Sequence, residues 1–127
     1  MFFFFLGAQE AFDSPGLDRL AKALDHAQLR YPSLTISMLS MLLRIGMMPK
    51  KPGEYISVSD IVAGHPGQKY PTVARQIDLL AGNDKSPGLG LIEKSVDPKD
   101  RRGRFVAISE GGKLLLSELD LILAPGG

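Results

Sequence analysis

Apolar residues recur every three or four positions in several segments of the chain, which is the spacing of one face of a helix. The clearest of these segments are residues 14–30, 35–46, 69–81 and 109–123. Two runs rich in β-branched and aromatic residues, 89–96 and 104–109, lie before the last helix and are typical of strands. This order predicts an α+β protein that is mostly helical, with one domain spanning residues 1–127.

Capping residues mark the ends of the helices. Ser14 suits the N-cap of the first helix, and Pro15 suits its first turn because proline lacks the N–H that would be unpaired there. Thr35 and Ser109 are the expected N-caps of the second and last helices. Gly46 suits the C-terminal cap of the second helix. That helix is apolar nearly all round, so we expect it at the centre of the core.

The first and last helices carry more apolar residues than one core-facing surface needs. In the first helix five residues share one stripe: Leu17, Leu20, Ala21, Leu24 and Ala27. In the last helix seven leucine and isoleucine residues lie between Leu114 and Leu123. One face can close the core, and the other needs a partner, most simply a second copy of the chain. We therefore expect helices 14–30 and 109–123 to form a homodimer, with Leu119 and Ile122 in its interface.

Two short helices in the middle of the chain are separated by a turn that contains glycine. The first follows a short extended piece, starts at Ser57 and stops at Gly64. In the second, a narrow apolar seam consists of Val73, Ile77 and Leu80, and the polar residues lie off that seam. One edge that packs inward and another that is free to form hydrogen bonds are typical of a helix-turn-helix unit.

The segment SVDPKDRRGRFVAIS, residues 95–109, places a highly charged loop between the two strands. Six charged residues lie between Asp97 and Arg104, and the loop is longer than a hairpin requires. It belongs to the basic part of the chain, since residues 49–104 contain ten Lys and Arg against seven Asp and Glu. A long loop on a two-stranded base can reach past the domain surface, and arginine suits the narrow minor groove of DNA. The alternative is a solvated hairpin tip with its own salt bridges and no partner.

Three segments within residues 34–119 resemble one known family when read together: LTISMLSMLLRIG, YPTVARQIDLLAG and LGLIEKSVDPKDRRGRFVAISEGGKLL. They resemble the winged helix-turn-helix of the multiple-antibiotic-resistance regulators, the MarR family. The most specific of them is DPKDRRGR, because the wing of the family has an Asp-x-x-Asp-Arg-Arg pattern between its two strands. The resemblance implies a homodimeric transcription regulator that binds a pseudo-palindromic duplex. Its DNA-binding core, residues 34–109, would carry a two-stranded β-wing.

The resemblance also assigns the residues that contact DNA. The recognition helix would enter the major groove with Gln68, Lys69, Tyr70, Thr72, Arg75 and Gln76. The wing would reach the minor groove with Lys99, Arg101, Arg102 and Arg104. Asp97 and Asp100 would brace the loop and orient the arginines, because free carboxylates would repel DNA. Thr72, Arg75 and Gln76 are expected on the outer face of the helix, where Arg and Gln can pair with bases.

The sequence lacks the patterns of a catalytic or metal-binding site. Its two histidines, His26 and His65, are far apart, and we expect ordinary roles for them on a helix flank and in a turn. There is no cysteine, which excludes disulfides, thiolate metal ligands and a thiol redox switch and is compatible with a cytoplasmic protein. We therefore expect a cytoplasmic protein that is not an enzyme and has no cofactor and no bound metal.

Three features leave alternatives open. The run Phe2–Phe5 is too short to span a bilayer, and we expect it to pack on the core or on a partner chain; a membrane contact is the alternative. Four methionines would fill the core or line an adaptable pocket for a small-molecule effector: Met38, Met41, Met47 and Met48. The net charge of +1 is compatible with a second hypothesis, in which the winged helix binds another protein without specific DNA binding.

Overall fold

The computed structural model describes residues 14–48, 55–65, 67–83, 85, 87–96 and 104–125. The elements in chain order are α1 (Pro15–Arg30), α2 (Ile36–Met47), β1 (Ile56–Ser57), α3 (Val58–Ala63), α4 (Tyr70–Ala81), β2 (Ile92–Val96), β3 (Arg104–Ile108) and α5 (Glu110–Leu123). This order confirms the predicted succession of helices and strands. The expectations for Phe2–Phe5 and for the loop at 97–103 concern residues outside the described ones.

Hydroxyl side chains cap the N-termini of four helices, as predicted. Ser14, Thr35, Ser57 and Ser109 are the N-caps of α1, α2, α3 and α5. Ser109 has a second role, because its hydroxyl accepts the N–H of Gly112 at 3.1 Å and also donates to the carbonyl oxygen of Gly90 at 2.6 Å. These two bonds join the start of α5 to the segment that leads into β2.

The sheet is antiparallel and has three strands, in the order β1-β3-β2. The sequence predicts a two-stranded wing, and the short extended piece before α3 adds the third strand. In that strand Ile56 pairs with Val106 of β3, and both side chains are buried. Burial of Ile56 against the core explains why a strand of two residues forms here. β2 and β3 pair along their whole length and make the base of the wing.

α2 lies at the centre of the core, as its apolar circumference predicts. Its buried residues are Met38, Leu39, Met41, Leu42 and Ile45. It packs against α4, whose predicted seam of Val73, Ile77 and Leu80 is buried as well. Met38 and Met41 therefore fill the core, whereas Met47 is exposed.

Gly46 lies inside α2, not at its C-terminal cap. The helix continues to Met47, and Met48 is the cap residue. A Cβ atom at position 46 would lie 2.7 Å from Cδ1 of Leu116 on α5. The predicted cap is therefore wrong. The missing side chain instead allows α5 to approach α2 closely.

α1 packs along α5 with its small residues. Ala23 and Ala27 are the buried residues of α1, whereas Leu17 and Leu20 are 55% and 46% exposed. The leucines at the start of the predicted stripe thus point away from the core. The buried face of α1 is therefore formed by small residues, and these two leucines lie to one side of it.

α5 divides its leucines between the core and the surface. Leu115 and Leu119 are buried, so the expectation that Leu119 lies in a dimer interface is wrong. Leu114 and Leu121 are exposed, and their spacing of seven residues places them on the same face of the helix. The surface of the described chain therefore carries two leucine stripes, Leu17 with Leu20 on α1 and Leu114 with Leu121 on α5.

Candidate nucleic-acid interface

A buried histidine stabilises the turn between α3 and α4. His65 is 8% exposed, and its Nδ1 atom lies 3.2 Å from the carbonyl oxygen of Ile61. Because a carbonyl oxygen can only accept, Nδ1 carries the proton of this hydrogen bond. The backbone of His65 bonds Val62 on one side and Gln68 on the other, each at 3.1 Å. The sequence predicts an ordinary turn residue, but the ring and both backbone groups of His65 fix the path of the chain into α4.

α4 packs one edge on the core and leaves the opposite edge open. Thr72 and Arg75 are exposed on that open edge. Gln68, Lys69 and Tyr70, just before and at the start of the helix, are exposed as well. Five of the six residues predicted for the recognition helix are therefore accessible, and side chains in such positions can reach base edges in a groove.

Gln76, the sixth of these residues, is half-buried. Its Oε1 atom is buried and has no hydrogen-bond partner among the described residues. Position 76 follows Val73 by three residues and precedes Leu80 by four, so it borders the buried seam of α4. The expectation that Gln76 lies on the outer face is therefore wrong, because the helical spacing places it on the flank of the seam.

One face of the sheet changes from apolar to basic towards the wing. Residues opposite each other in antiparallel strands share a face of the sheet. On the face that packs inward, buried Val106 is opposite Lys94, and Arg104 lies on the same face two residues before Val106, towards the loop. Both Lys94 and Arg104 are exposed. The base of the wing thus presents two cations where the apolar core ends.

A cleft of about 190 Å³ lies between α4 and this face of the sheet. Tyr70, Ala74 and Asp78 line it from α4, and Lys94 and Arg104 line it from β2 and β3. The start of α4 and the base of the wing therefore border one depression. A strand of nucleic acid that contacted both elements would pass over it.

An ion pair that the sequence interpretation missed crosses this cleft. The Nζ atom of Lys94 on β2 lies 2.7 Å from Oδ1 of Asp78 on α4. One feature of the sequence could have revealed this ion pair. Asp78 is an acidic residue on the outer half of α4, a helix whose other outer residues could bind DNA. A carboxylate there requires a cation nearby, and the strand that follows α4 supplies one.

Solved structures with a similar arrangement of helices and sheet include MarR from E. coli and other proteins described as regulators. A mutant MarR from E. coli complexed with operator DNA matches with a TM-score of 0.57 and 17% identity, over 85% of this chain and 74% of that chain. The chain has the MarR-type winged-helix fold. The regulator BpsR from Bordetella bronchiseptica matches with a TM-score of 0.55 and 21% identity, over 84% and 73% of the two chains. The transcriptional regulator Tm0710 from Thermotoga maritima matches at 0.56 and 18%, over 87% and 74%. No family model and no curated protein matches in sequence.

α4 and the β2–β3 hairpin are the elements that the sequence interpretation assigned to the recognition helix and the wing. Arg104, one of the predicted wing residues, is the first residue of β3 and lines the cleft. The other predicted wing residues lie outside the described ones: Asp97, Lys99, Asp100, Arg101 and Arg102. Their roles stay predictions.

Metal sites and membrane spans were two further possibilities for the described part of the chain. Within it, no group of three or more His, Asp and Glu residues could bind a metal ion. None of the helices in that part is long and apolar enough to cross a membrane.

Proposed function

We propose that the protein is a transcription regulator that binds a pseudo-palindromic DNA duplex as a homodimer. One observation carries the proposal. The open edge of α4 and the base of the wing, which contains Lys94 and Arg104, border the same cleft. The mutant MarR from E. coli, which has the same fold, was solved with operator DNA. The surface that this fold can present to a duplex is therefore accessible and contains cations in both elements.

The recognition helix supplies the sequence-specific part of the proposal. Arg75 is exposed on the open edge, and an arginine can donate two hydrogen bonds to the O6 and N7 atoms of guanine. Thr72 lies one turn before it and can contact a base or a thymine methyl group. Gln68, Lys69 and Tyr70 lie at the start of the helix, where hydrogen bonds to phosphate fix the register of the protein on the duplex.

The wing supplies a part that does not depend on sequence. Lys99, Arg101, Arg102 and Arg104 contact phosphates and the minor groove, and Asp97 and Asp100 orient the arginines. The position of Arg104 supports this assignment, because it is exposed at the first residue of β3. Arginine in a narrow minor groove benefits from the concentrated phosphate potential there.

The homodimer is proposed from the two exposed leucine stripes. Leu17 and Leu20 on α1, and Leu114 and Leu121 on α5, leave apolar surface on two neighbouring helices. Exposed leucines on two helices that pack on each other support an interaction surface in this part of the chain. A two-fold dimer would cover it and would also place two recognition helices on two half-sites of one duplex.

A small-molecule effector forms a further part of the proposal. The BpsR structure concerns regulation of DNA binding by 6-hydroxynicotinic acid. In this chain an apolar groove of about 240 Å³ lies between α1 and α2, lined by residues that include Leu24, Leu34 and Ile36. Aromatic acids are therefore the first compounds to test, and a bound effector should raise Tm in proportion to the logarithm of its concentration.

Selection of bound duplexes from a random pool tests the proposal as a whole. The selected sequences should share two half-sites related by two-fold symmetry, with centres about one helical turn apart or a multiple of that. A pool that stays random after repeated rounds would refute specific DNA binding. It would favour the alternative, a winged-helix module that binds another protein through the same surface.

A further inference from the structure

The ion pair between Asp78 and Lys94 connects the two elements that the proposed function assigns to different grooves. Asp78 is on the recognition helix and Lys94 is on the first strand of the wing, 16 residues further along the chain. Their side chains are 43% and 35% exposed, and the atoms that meet are 2.7 Å apart. The contact is therefore short and partly shielded from water.

Asp78 allows the ion pair to restrain α4, because it lies on the flank of the helix that faces the sheet. The helix packs on the core through Val73, Ile77 and Leu80, a seam that occupies one narrow edge. Asp78 lies outside this seam, on the flank of α4 that faces the sheet, and lines the cleft together with Lys94. A bond at this point restrains rotation of α4 about its own axis and its separation from β2.

Lys94 connects the ion pair to the wing, because it lies on β2, the first strand of the wing. Lys94 is opposite Val106, which is buried in the core. The next pair on the same face contains Arg104, which is exposed. The bond therefore lies at the root of the wing, between the buried part of the sheet and the exposed Arg104.

The charges alone would make Asp78 unfavourable for DNA binding. A carboxylate beside Arg75, three residues earlier on the same helix, adds negative charge to the surface that meets phosphates. If Asp78 acted only through its charge, its removal would tighten binding to every duplex. A role in geometry makes the opposite prediction.

We propose that Asp78 and Lys94 are positioning residues that set the angle between the recognition helix and the wing. This inference rests on the proposed DNA binding and deepens it. The ion pair determines whether one protomer can contact the major groove through α4 and the minor groove through the wing at the same time. Lys94 acts on DNA through Asp78 and does not bind phosphate itself.

The test measures binding of a selected duplex by fluorescence anisotropy for the wild-type protein, Asp78→Ala, Lys94→Ala and the exchanged pair Asp78→Lys with Lys94→Asp. Each single variant should bind about two- to fivefold more weakly, which is the upper range for an exposed ion pair. The exchanged pair should recover affinity to within about twofold, because its bond and its net charge equal those of the wild type. Asp120→Ala, on α5, is the charge-matched control and should not weaken binding.

Two outcomes would overturn the proposal. Tighter binding by Asp78→Ala would show that the carboxylate only repels DNA. Failure of the exchanged pair to recover affinity would show that the two side chains act separately. The dependence of affinity on salt gives an independent criterion, because removal of a bond to phosphate would lower the slope by about one for Lys94→Ala, whereas a positioning role leaves it unchanged.

The two proposals can fail separately. If the wild-type protein binds no duplex, the proposed function is refuted, and amide hydrogen exchange of the free protein still tests the ion pair. Protection of the α4 amides should then decrease in Asp78→Ala and return in the exchanged pair. Unchanged exchange in Asp78→Ala would show that the ion pair restrains nothing.

Discussion

Arg30 at the end of α1 donates hydrogen bonds to both carboxylate oxygens of Glu118 on α5, at 2.7 and 2.8 Å. His26, one turn earlier on α1, lies 2.9 Å from the same carboxylate and donates through Nε2. The hydrogen bond from His26, then that from Arg30 and its positive charge, lower the pKa of Glu118 below its ordinary value of 4.5, although burial acts in the opposite direction. The two helices proposed for the dimer are therefore joined by one carboxylate.

The first prediction concerns the dependence of stability on pH. Because the pKa of Glu118 is lower in the folded chain than in the unfolded chain, its stabilising contribution is complete above pH 4.5 and is lost as the pH falls through the folded value. Glu118→Gln should therefore have a lower Tm than the wild type at pH 7, and the difference should shrink below pH 4.5. Thermal unfolding followed by circular dichroism between pH 7 and pH 3 measures it.

The control for this series is Glu93→Gln, at an exposed position of β2. The difference in Tm between Glu93→Gln and the wild type should not show the decrease below pH 4.5 that is expected for Glu118→Gln. A constant difference between Glu118→Gln and the wild type over the whole pH range would mean that the ionisation of Glu118 is not linked to folding.

The second prediction uses two adjacent glycines in the first turn of α5. A Cβ atom at Gly112 would collide with the carbonyl oxygen of Leu91 and would lie 2.8 Å from Cγ2 of Ile108, whereas at Gly111 the nearest atom would be 3.4 Å away. Gly112→Ala should lower the free energy of unfolding by about 1–3 kcal/mol because the site is overpacked. Gly111→Ala should raise it by about 0.5 kcal/mol through helix propensity. Equal effects in chemical denaturation would contradict the packing at Gly112.

Local spacing and capping residues were sufficient to predict the elements, but contacts between distant elements were not predictable in this way. The pattern around Val73, Ile77 and Leu80 determined the buried edge of α4 because it depends on residues within one helix. The role of Gly46 depends on Leu116, which lies 70 positions away, and a helix cap was the natural local interpretation.

The same limit explains what was missed at the candidate interface. Gln76 has a polar side chain, and polarity alone suggested an exposed position, although its spacing from Val73 and Leu80 places it beside the seam. The ion pair between Asp78 and Lys94 requires knowledge of how the sheet turns back onto α4. The periodicity of residues within α4 or within β2 contains no information about how these two elements are oriented relative to each other.

The third prediction concerns Gln76. Its buried Oε1 atom has no partner among the described residues, so the half-buried amide lowers the stability of the fold. Gln76→Met keeps the length of the side chain and removes this polar atom, and should raise the free energy of unfolding by about 1 kcal/mol. Chemical denaturation measures the change.

The same variant separates Gln76 from the residues that contact bases. Gln76→Met should bind the selected duplex as tightly as the wild type, whereas Arg75→Ala should lose discrimination worth roughly 1–3 kcal/mol. A loss of affinity in Gln76→Met as large as that in Arg75→Ala would place the amide in the groove and contradict its burial.

The fourth prediction tests the homodimer with two separate variants, each of which places a lysine at an exposed apolar position. Leu121 on α5 is 73% exposed and Met47 at the end of α2 is 75% exposed. Leu121→Lys should shift sedimentation at micromolar concentration from dimer to monomer, because it places a charge in the proposed interface. Met47→Lys should leave the dimer intact. A wild-type monomer under these conditions, or a dimer that survives Leu121→Lys, would contradict the proposed interface.

The measurement that tests the central claim most directly is the affinity of the protein for the selected duplex as a function of salt concentration. Bonds to phosphate release counterions, so the logarithm of the association constant should fall linearly with the logarithm of salt, with a slope of about −0.9 per neutralised phosphate. Arg101→Ala or Arg102→Ala should reduce the steepness by about one for each phosphate that the variant no longer neutralises, and should weaken binding to all duplexes alike. Affinity that stays the same between about 50 and 200 mM salt would contradict DNA binding through this surface.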